Sequence, residues 1–291
     1  MSQHLRAVEH ITPESAGWGY SGLRIVSLPP GGTHHQNTGE DETVVLPLTG
    51  GCTVEAGDEG GAELTGRPSV FDGASDLAYV PRSTELTIAS RDGGRFALAT
   101  ARARRQLPFR YIAAKEVPVE LRGAGACSRQ VNNFATPDVL DADRLIACEV
   151  LTPSGNWSSY PPHKHDEDRP GIETPLEEIY YFEVARDGMA YQRVYGPGID
   201  VLAEVRSGDA VIIPHGWHGP SMAVPGYDLY YLNVMAGPGP RQWLICDDPA
   251  HAWIRDTWAD QPVDARLPFT DRATLGVPTT PEVAQSERKA Q

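Results

Sequence analysis

The stretch GDAVIIPHGWH, residues 208–218, carries the pattern on which the fold turns. Gly208 and Asp209 open it, an apolar run follows as a short strand, and Pro214 ends the strand because proline has no N–H for the ladder. The earlier stretch DLAYVP, residues 76–81, has the same form: an aspartate five positions ahead of a proline, an apolar strand between, and Gly73 just upstream. Working outward, Glu42 in ETVVLPLTGG aligns with Glu178 in EIYYFEVARDG, and PPGGTHH aligns with PPHKH, in the same order and at similar offsets. Three ordered matches point to an internal duplication. The runs LRIVSL, TVVLPL, CTVEA, LAYVP, LTIAS and FALATARA form a first series, broken by PPGG, TGG and DGG. LIACEVL, EEIYYFEV, YQRVY, DAVIIP and DLYYLNVM form a second. Short β-rich runs at turn spacing read as a sandwich or barrel, so the expected class is all-β, two barrel lobes.

The lobes are expected at 1–115 and 116–240, with 241–291 as a C-terminal arm rich in proline, aspartate and tryptophan and a short helical candidate near Ala252 to Trp258. Large apolar groups such as Trp243, Trp253 and Trp258 in an extended arm need a surface to cover, which suggests a homo-oligomer. The last dozen residues are polar and are expected to fray.

At 291 residues, 40% hydrophobic and 22% charged, the chain falls in the globular range. A net charge of −14 argues against nucleic acid as a partner, because phosphates are held mainly by Lys and Arg. An anionic substrate would therefore need a local basic group. Cys52, Cys127, Cys148 and Cys246 are widely spaced with no CxxC pair, which fits a reducing compartment. MSQHLRAVEH lacks the features of a secretory signal, and no apolar run is long enough to span a membrane, so a cytoplasmic protein is expected.

The second series carries the chemistry. In PPHKH, His163 and His165 are two apart, so on a strand both imidazoles face one side and Lys164 the other. In EEIYYF, Glu178, Tyr180 and Phe182 share one face while Glu177, Ile179 and Tyr181 share the other, so one of the two glutamates can join the histidines. The turn HGW returns His218 toward the barrel, with His215 as its rival. Three imidazoles and a carboxylate suit one divalent ion with positions open for substrate, zinc first, manganese or iron next, nickel also in range. Each piece alone is commonplace; their order and spacing together are not. His34 and His35 echo the motif in the first series, but RSTE follows Pro81 where a third histidine would stand, so the first lobe is expected to have lost its metal.

The segments NWSSYPPHKHD, LEEIYYF, QRVY and IIPHGWHGPSMAVPGYDLYYLNVMAGP resemble the 5-deoxy-glucuronate isomerase family of bacterial myo-inositol catabolism. The likeness extends to GWGYSGLRIVSLPPG, RQVNNF and DPAHAWIR and covers nearly the whole chain. That family is a bicupin, two jelly-roll lobes, related to the 5-keto-4-deoxyuronate isomerases. The resemblance implies His163, His165, Glu178 and His218 as metal ligands. It also implies conversion of an aldehyde sugar acid, 5-deoxy-D-glucuronate, to 5-dehydro-2-deoxy-D-gluconate. Only Trp217 separates Gly216 from His218, one residue fewer than in the general cupin motif, and this short spacing matches the isomerase branch.

A partner for the substrate's carboxylate is expected among Arg129 of RQVNNF and Arg193 of QRVY, the latter grouped by alternation with Tyr191 and Tyr195, with Tyr160 beside them. No signature settles the proton-transferring base. Glu178, Tyr180 and Lys164 are the candidates nearest the motif; His251 and Arg255 fit a structural role in the arm. Two other readings share the ligand set: a cupin dioxygenase, and a sugar-binding bicupin without activity, which a degraded ligand set would mark.

Overall fold

The computed structural model describes residues 4–7 and 9–269; the expected fraying at the C-terminus lies outside them. A nine-stranded sheet system builds the first lobe, its central path running Arg110–Ile112, Leu77–Val80, Asp41–Ala56, Gly94–Arg102, Ser21–Leu28 and His10–Ile11. A seven-stranded and a six-stranded sheet build the second. The seven-stranded sheet runs His4–Leu5, Ala210–Ile213, Glu177–Val184, Leu229–Ala236, Ile146–Thr152, Arg129–Ala135 and Val119–Arg122. The six-stranded sheet centres on Ala190–Gly196 and Trp217–Ala223, with Ile199–Val205 on one side and His163–Lys164 and Cys246–Asp247 on the other. Among the described residues every strand pairing is antiparallel, as short turns allow. The expected helical turn is present as a 3-10 helix, Ala252–Asp260.

Both faces of the central strands are buried, which explains why they read as near-continuous apolar runs rather than as alternating ones. Even positions of Glu177–Val184, such as Tyr180 and Phe182, line the second barrel with Cys148, Tyr231, Val211 and Ile213. Odd positions, Ile179 and Tyr181, join Val44, Leu46, Tyr79, Ala97, Ala99, Leu232 and Val234 in one apolar layer between the lobes. Val45, Ala78, Val80, Phe96 and Leu98 fill the first barrel.

Buried polar groups fasten this layer. Arg67 of the first lobe makes an ion pair with Glu149 of the second, both almost wholly buried; Glu149 also accepts from Tyr230 Oη at 2.8 Å and Asn132 Nδ2 at 3.0 Å. Such a pair survives burial because neighbouring donors satisfy the remaining lone pairs. Two glutamates act as reciprocal clasps. Glu42 of the first lobe accepts the backbone N–H groups of Asp143, Arg144 and Leu145, each at 2.7 Å, and the Tyr79 hydroxyl at 2.8 Å. Glu177 of the second accepts those of Gly19, Tyr20 and Ser21 at 2.7–3.0 Å. Each clasp holds the segment leading into the other lobe's strand.

The clasps correct the expected alignment by one residue. Val44 pairs with Tyr79 and Ala99 as Ile179 pairs with Ile212 and Val234. Glu42 therefore corresponds to Glu177, and Thr43 stands where Glu178 does. A slip of one residue moves a side chain to the opposite face of a strand, so the difference is one of function.

Candidate metal centre

Glu178 is the second residue of its strand and points into the second barrel, 1% exposed. Opposite, His163 and His218 are cross-strand partners, and His165 follows directly after the short strand His163–Lys164. Gly219 lets these segments approach: its φ is +102°, and a Cβ there would lie 1.7 Å from the Ser159 carbonyl oxygen. Ligand atoms of His165, Glu178 and His218 come within 4.8 Å of one another, the one such group of metal-ligating side chains among the described residues. His163 stands beside them, its ring centroid 4.4 Å from that of His218.

The hydrogen bonds decide what this group is suited to hold. Each imidazole has Nδ1 next to a backbone carbonyl: His165 at 3.2 Å from Leu176 O, His218 at 3.4 Å from Gly216 O, His163 at 3.4 Å from Pro161 O. With the proton of each neutral ring on Nδ1, the Nε2 lone pairs of His165 and His218 face Glu178 Oε2, at 3.1 and 3.0 Å. His218 Nε2 is buried with no hydrogen-bond partner. Lone pairs converging on a carboxylate in a dry interior need a cation between them, and backbone carbonyls on the far nitrogens are the usual outer support of metal-binding histidines. The residues fit a divalent metal.

The titration behaviour agrees. Burial alone would raise the Glu178 carboxyl, but His218 and His165 hold it at about 2, so it is a carboxylate. Burial, with His218 and His165 adjacent, pushes His163 well below its ordinary value and keeps it a neutral donor. Burial disfavours charge on His165, yet Glu178 raises its affinity for a proton, and that proton marks where a cation would sit.

Around this centre the expected site residues divide. Tyr180 is fully buried; its hydroxyl is 3.1 Å from Ser159 Oγ and its ring stands edge-on to His218. Burial lifts its hydroxyl well above the ordinary value, so it is a neutral phenol. Tyr160 packs at the rim with Trp157 and His251. Arg129 lies on the inner face with Val131, 5% exposed, and donates Nη1 to Cys127 O at 3.0 Å. No carboxylate pairs with it among the described residues, and its guanidinium stacks over Trp258 at 5.3 Å. Burial lowers it to about 10, still a cation at neutral pH.

Two expectations are corrected, Arg193 and Lys164, and His215, the rival of His218, is set aside. Arg193 faces out of the barrel: Ala190, Gln192 and Val194 are its buried neighbours, and its guanidinium is paired with Asp200 at 2.5 Å. The inward residue of QRVY is Gln192, which accepts from the Ser221 hydroxyl. Lys164 is caged by Asp166 at 2.5 Å, Glu173 at 2.9 Å and Glu167 at 3.0 Å, which hold its ammonium above its ordinary value despite burial. A cation so neutralised is no base. His215 is outside the metal group, while Asp166 Oδ2 accepts Gly216 N at 2.7 Å and so ties the His165 segment to the His218 turn.

The arm, by contrast, reaches the site itself. Cys246–Asp247 pairs with His163–Lys164, Asp248 accepts from the Tyr195 hydroxyl, and Trp258 carries both Arg129 and Arg255, the latter bound to Asp247. Trp253 is 62% exposed. No helix among the described residues is long and apolar enough to cross a membrane.

Known proteins place this architecture. The 5-deoxy-glucuronate isomerase of Geobacillus thermodenitrificans (strain NG80-2) is 39% identical over 254 residues, 86% of this chain and 92% of that protein. The one from Bacillus subtilis (strain 168) is 36% identical over 259 residues, 87% and 94%. The crystal structure of an IolB-like protein from Salmonella typhimurium LT2 superposes with a TM-score of 0.81 at 37% identity, covering 85% of this chain and 94% of that one. Lactobacillus farciminis oxalate decarboxylase, a cupin, superposes at 0.62 with 14% identity over 92% and 90%, which shows the fold alone. The KduI/IolB family matches residues 1–254, and this two-lobed cupin chain belongs to it.

Proposed function

We propose that the chain is a metal-dependent 5-deoxy-glucuronate isomerase that converts 5-deoxy-D-glucuronate to 5-dehydro-2-deoxy-D-gluconate in myo-inositol catabolism. The observation that carries the metal site is the set of imidazole nitrogens converging on the buried Glu178 carboxylate, with His218 Nε2 beside it and making no hydrogen bond. The relatives' shared activity supports the substrate. His165, Glu178 and His218 would hold the ion, with His163 beside them as a fourth ligand; zinc suits this N/O set, as do manganese and iron. Bound there, a divalent cation polarises a carbonyl and steadies negative charge developing on its oxygen.

The chain's own groups supply the rest. Aldose to ketose conversion moves a proton from C2 to C1. Tyr180, a neutral phenol held by Ser159 next to His218, is placed to donate a hydrogen bond to a substrate oxygen. Arg129, buried and without an acidic partner, binds the carboxylate at the far end of the sugar, because a desolvated guanidinium with most of its donors unused favours a planar anion. Trp258 braces it from the arm, and Tyr160 forms the rim.

Metal-loaded protein incubated with 5-deoxy-glucuronate should consume the aldehyde proton seen by NMR and produce the 2-deoxy-5-keto acid. His163→Ala and His218→Ala should abolish this. Arg129→Met should raise KM far more than it lowers kcat. No turnover by folded protein with any divalent metal would defeat the reading.

A further inference from the structure

The first barrel has kept the mouth of the pocket and changed its chemistry. The strand register that equates Thr43 with Glu178 also places Thr100 at the position of Met235 and Arg24 at that of Cys148. Where the second lobe gathers imidazoles around a carboxylate, the first presents a guanidinium, hydroxyls and an amide around a cavity of about 230 Å³ lined by His10, Arg24, Gln36, Thr43 and Thr100. Thr43 is wholly buried and its Oγ1 has no hydrogen-bond partner, the kind of orphaned group that a ligand satisfies. Gly22 helps keep the space open, since a Cβ there would come within 2.6 Å of Thr100 Oγ1.

Arg24 supplies the positive charge at this mouth, beside the lining acids Glu14 and Asp41. Arg24 donates Nη2 to His10 Nδ1 at 3.0 Å, which requires a neutral imidazole, and no carboxylate pairs with Arg24 among the described residues. The acids at the rim, Glu14 and Asp41, both engage Arg102 at 3.0 Å, which Glu40 also approaches at 3.4 Å. A guanidinium without a direct carboxylate partner suits a monoanion, and the hydroxyls and amide around it suit alcohol groups. The volume lies below the roughly 300–1,000 Å³ of drug-sized pockets, so the ligand is small.

We propose that this cavity is a second binding site, for a small polyhydroxylated monocarboxylate, with Arg24 on its carboxylate and Thr43 and Gln36 on its hydroxyls. The proposal does not depend on the isomerase assignment. Calorimetric titration of the full chain with D-gluconate, and separately with inorganic phosphate, tests it. A gluconate binding component is expected that His218→Ala and Arg129→Met leave in place. Arg24→Leu should weaken it by roughly 10- to 100-fold, the loss expected for charge-assisted hydrogen bonds, and Thr43→Val by about 2- to 10-fold. Arg24→Leu should leave turnover unchanged. Thr43→Val, nearly isosteric, decides the matter if Arg24→Leu fails to fold. The proposal is overturned if gluconate does not bind, if its binding is indifferent to both substitutions, or if phosphate binds this site in its place.

Discussion

The two lobes share a strand order, a register and a reciprocal clasp, yet among the described residues only the second gathers side chains that could hold a metal. The difference reduces to a few inward positions: Thr43 for Glu178, Arg24 for Cys148, and RSTE after Pro81 where the second lobe has HGWH after Pro214. Positions that build the layer between the lobes, Val44 with Ile179 or Ala99 with Val234, stay apolar in both. Duplication thus fixes the packing face, whereas the barrel face is free to diverge. Function in this chain is a property of alternate residues on strands whose other residues hold the lobes together.

The largest expected effect of breaking this asymmetry lies at the metal group. Glu178→Gln should lower turnover by about 10³-fold or more, because it removes the charge that an open metal site and its electrostatic stabilisation depend on; Thr43→Val, the corresponding change in the first lobe, should leave turnover within about twofold of the parent. Comparing the two rates checks both statements at once.

The layer between the lobes comes next. Arg67→Met strands Glu149 as a buried carboxylate and should cost about 3–5 kcal/mol by denaturant titration, while the double change Arg67→Met with Glu149→Leu should recover much of that loss. If the single and double variants lose the same stability, the pair is not what fastens the lobes.

The clasps allow a finer comparison. Glu42→Gln should destabilise by about 2 kcal/mol and Glu177→Gln by less, since Glu42 is fully buried with four donors and Glu177 is half-buried with three backbone donors. The reverse order in thermal unfolding would contradict this account.

The smallest effect is with pH. Burial would raise the Asp143 carboxyl, but the backbone N–H of Arg104 and the Arg105 guanidinium hold it below its ordinary value. Its stabilisation is therefore present above the unfolded value of about 3.9 and is lost as pH falls through the lower native one. Asp143→Asn should flatten the stability profile in that acid window, lowering stability near neutrality by the amount the parent loses on acidification and leaving the two proteins alike below the window.

Much of this was legible in the sequence where the physics is local. HxH spacing, the alternation in EEIYYF and the glycine-strand-proline pattern before HGWH each follow from strand period and turn chemistry, and the structure brings His165, Glu178 and His218 together. Pairing of Glu42 with Glu178 failed by one residue, because two adjacent glutamates in EEIYYF leave the sequence without a marker for which one faces the barrel. Arg193 failed for the same reason: alternation grouped it with Tyr191 and Tyr195 correctly but could not say which face was inside, and Gln192 is the inward residue. The cage around Lys164 depends on Glu173, delivered by a loop that has no periodic pattern, and the Arg67–Glu149 pair joins residues of different lobes. Contacts of that kind are set by how the lobes dock, which no short motif encodes.

The second lobe is expected to hold one metal, on the His165, Glu178 and His218 group. Elemental analysis of the purified chain tests it most directly. One divalent ion per chain is expected, lost in His218→Ala and Glu178→Gln and retained in His34→Ala and Thr43→Val. Two ions per chain, or one that survives His218→Ala and Glu178→Gln in folded protein, would contradict it.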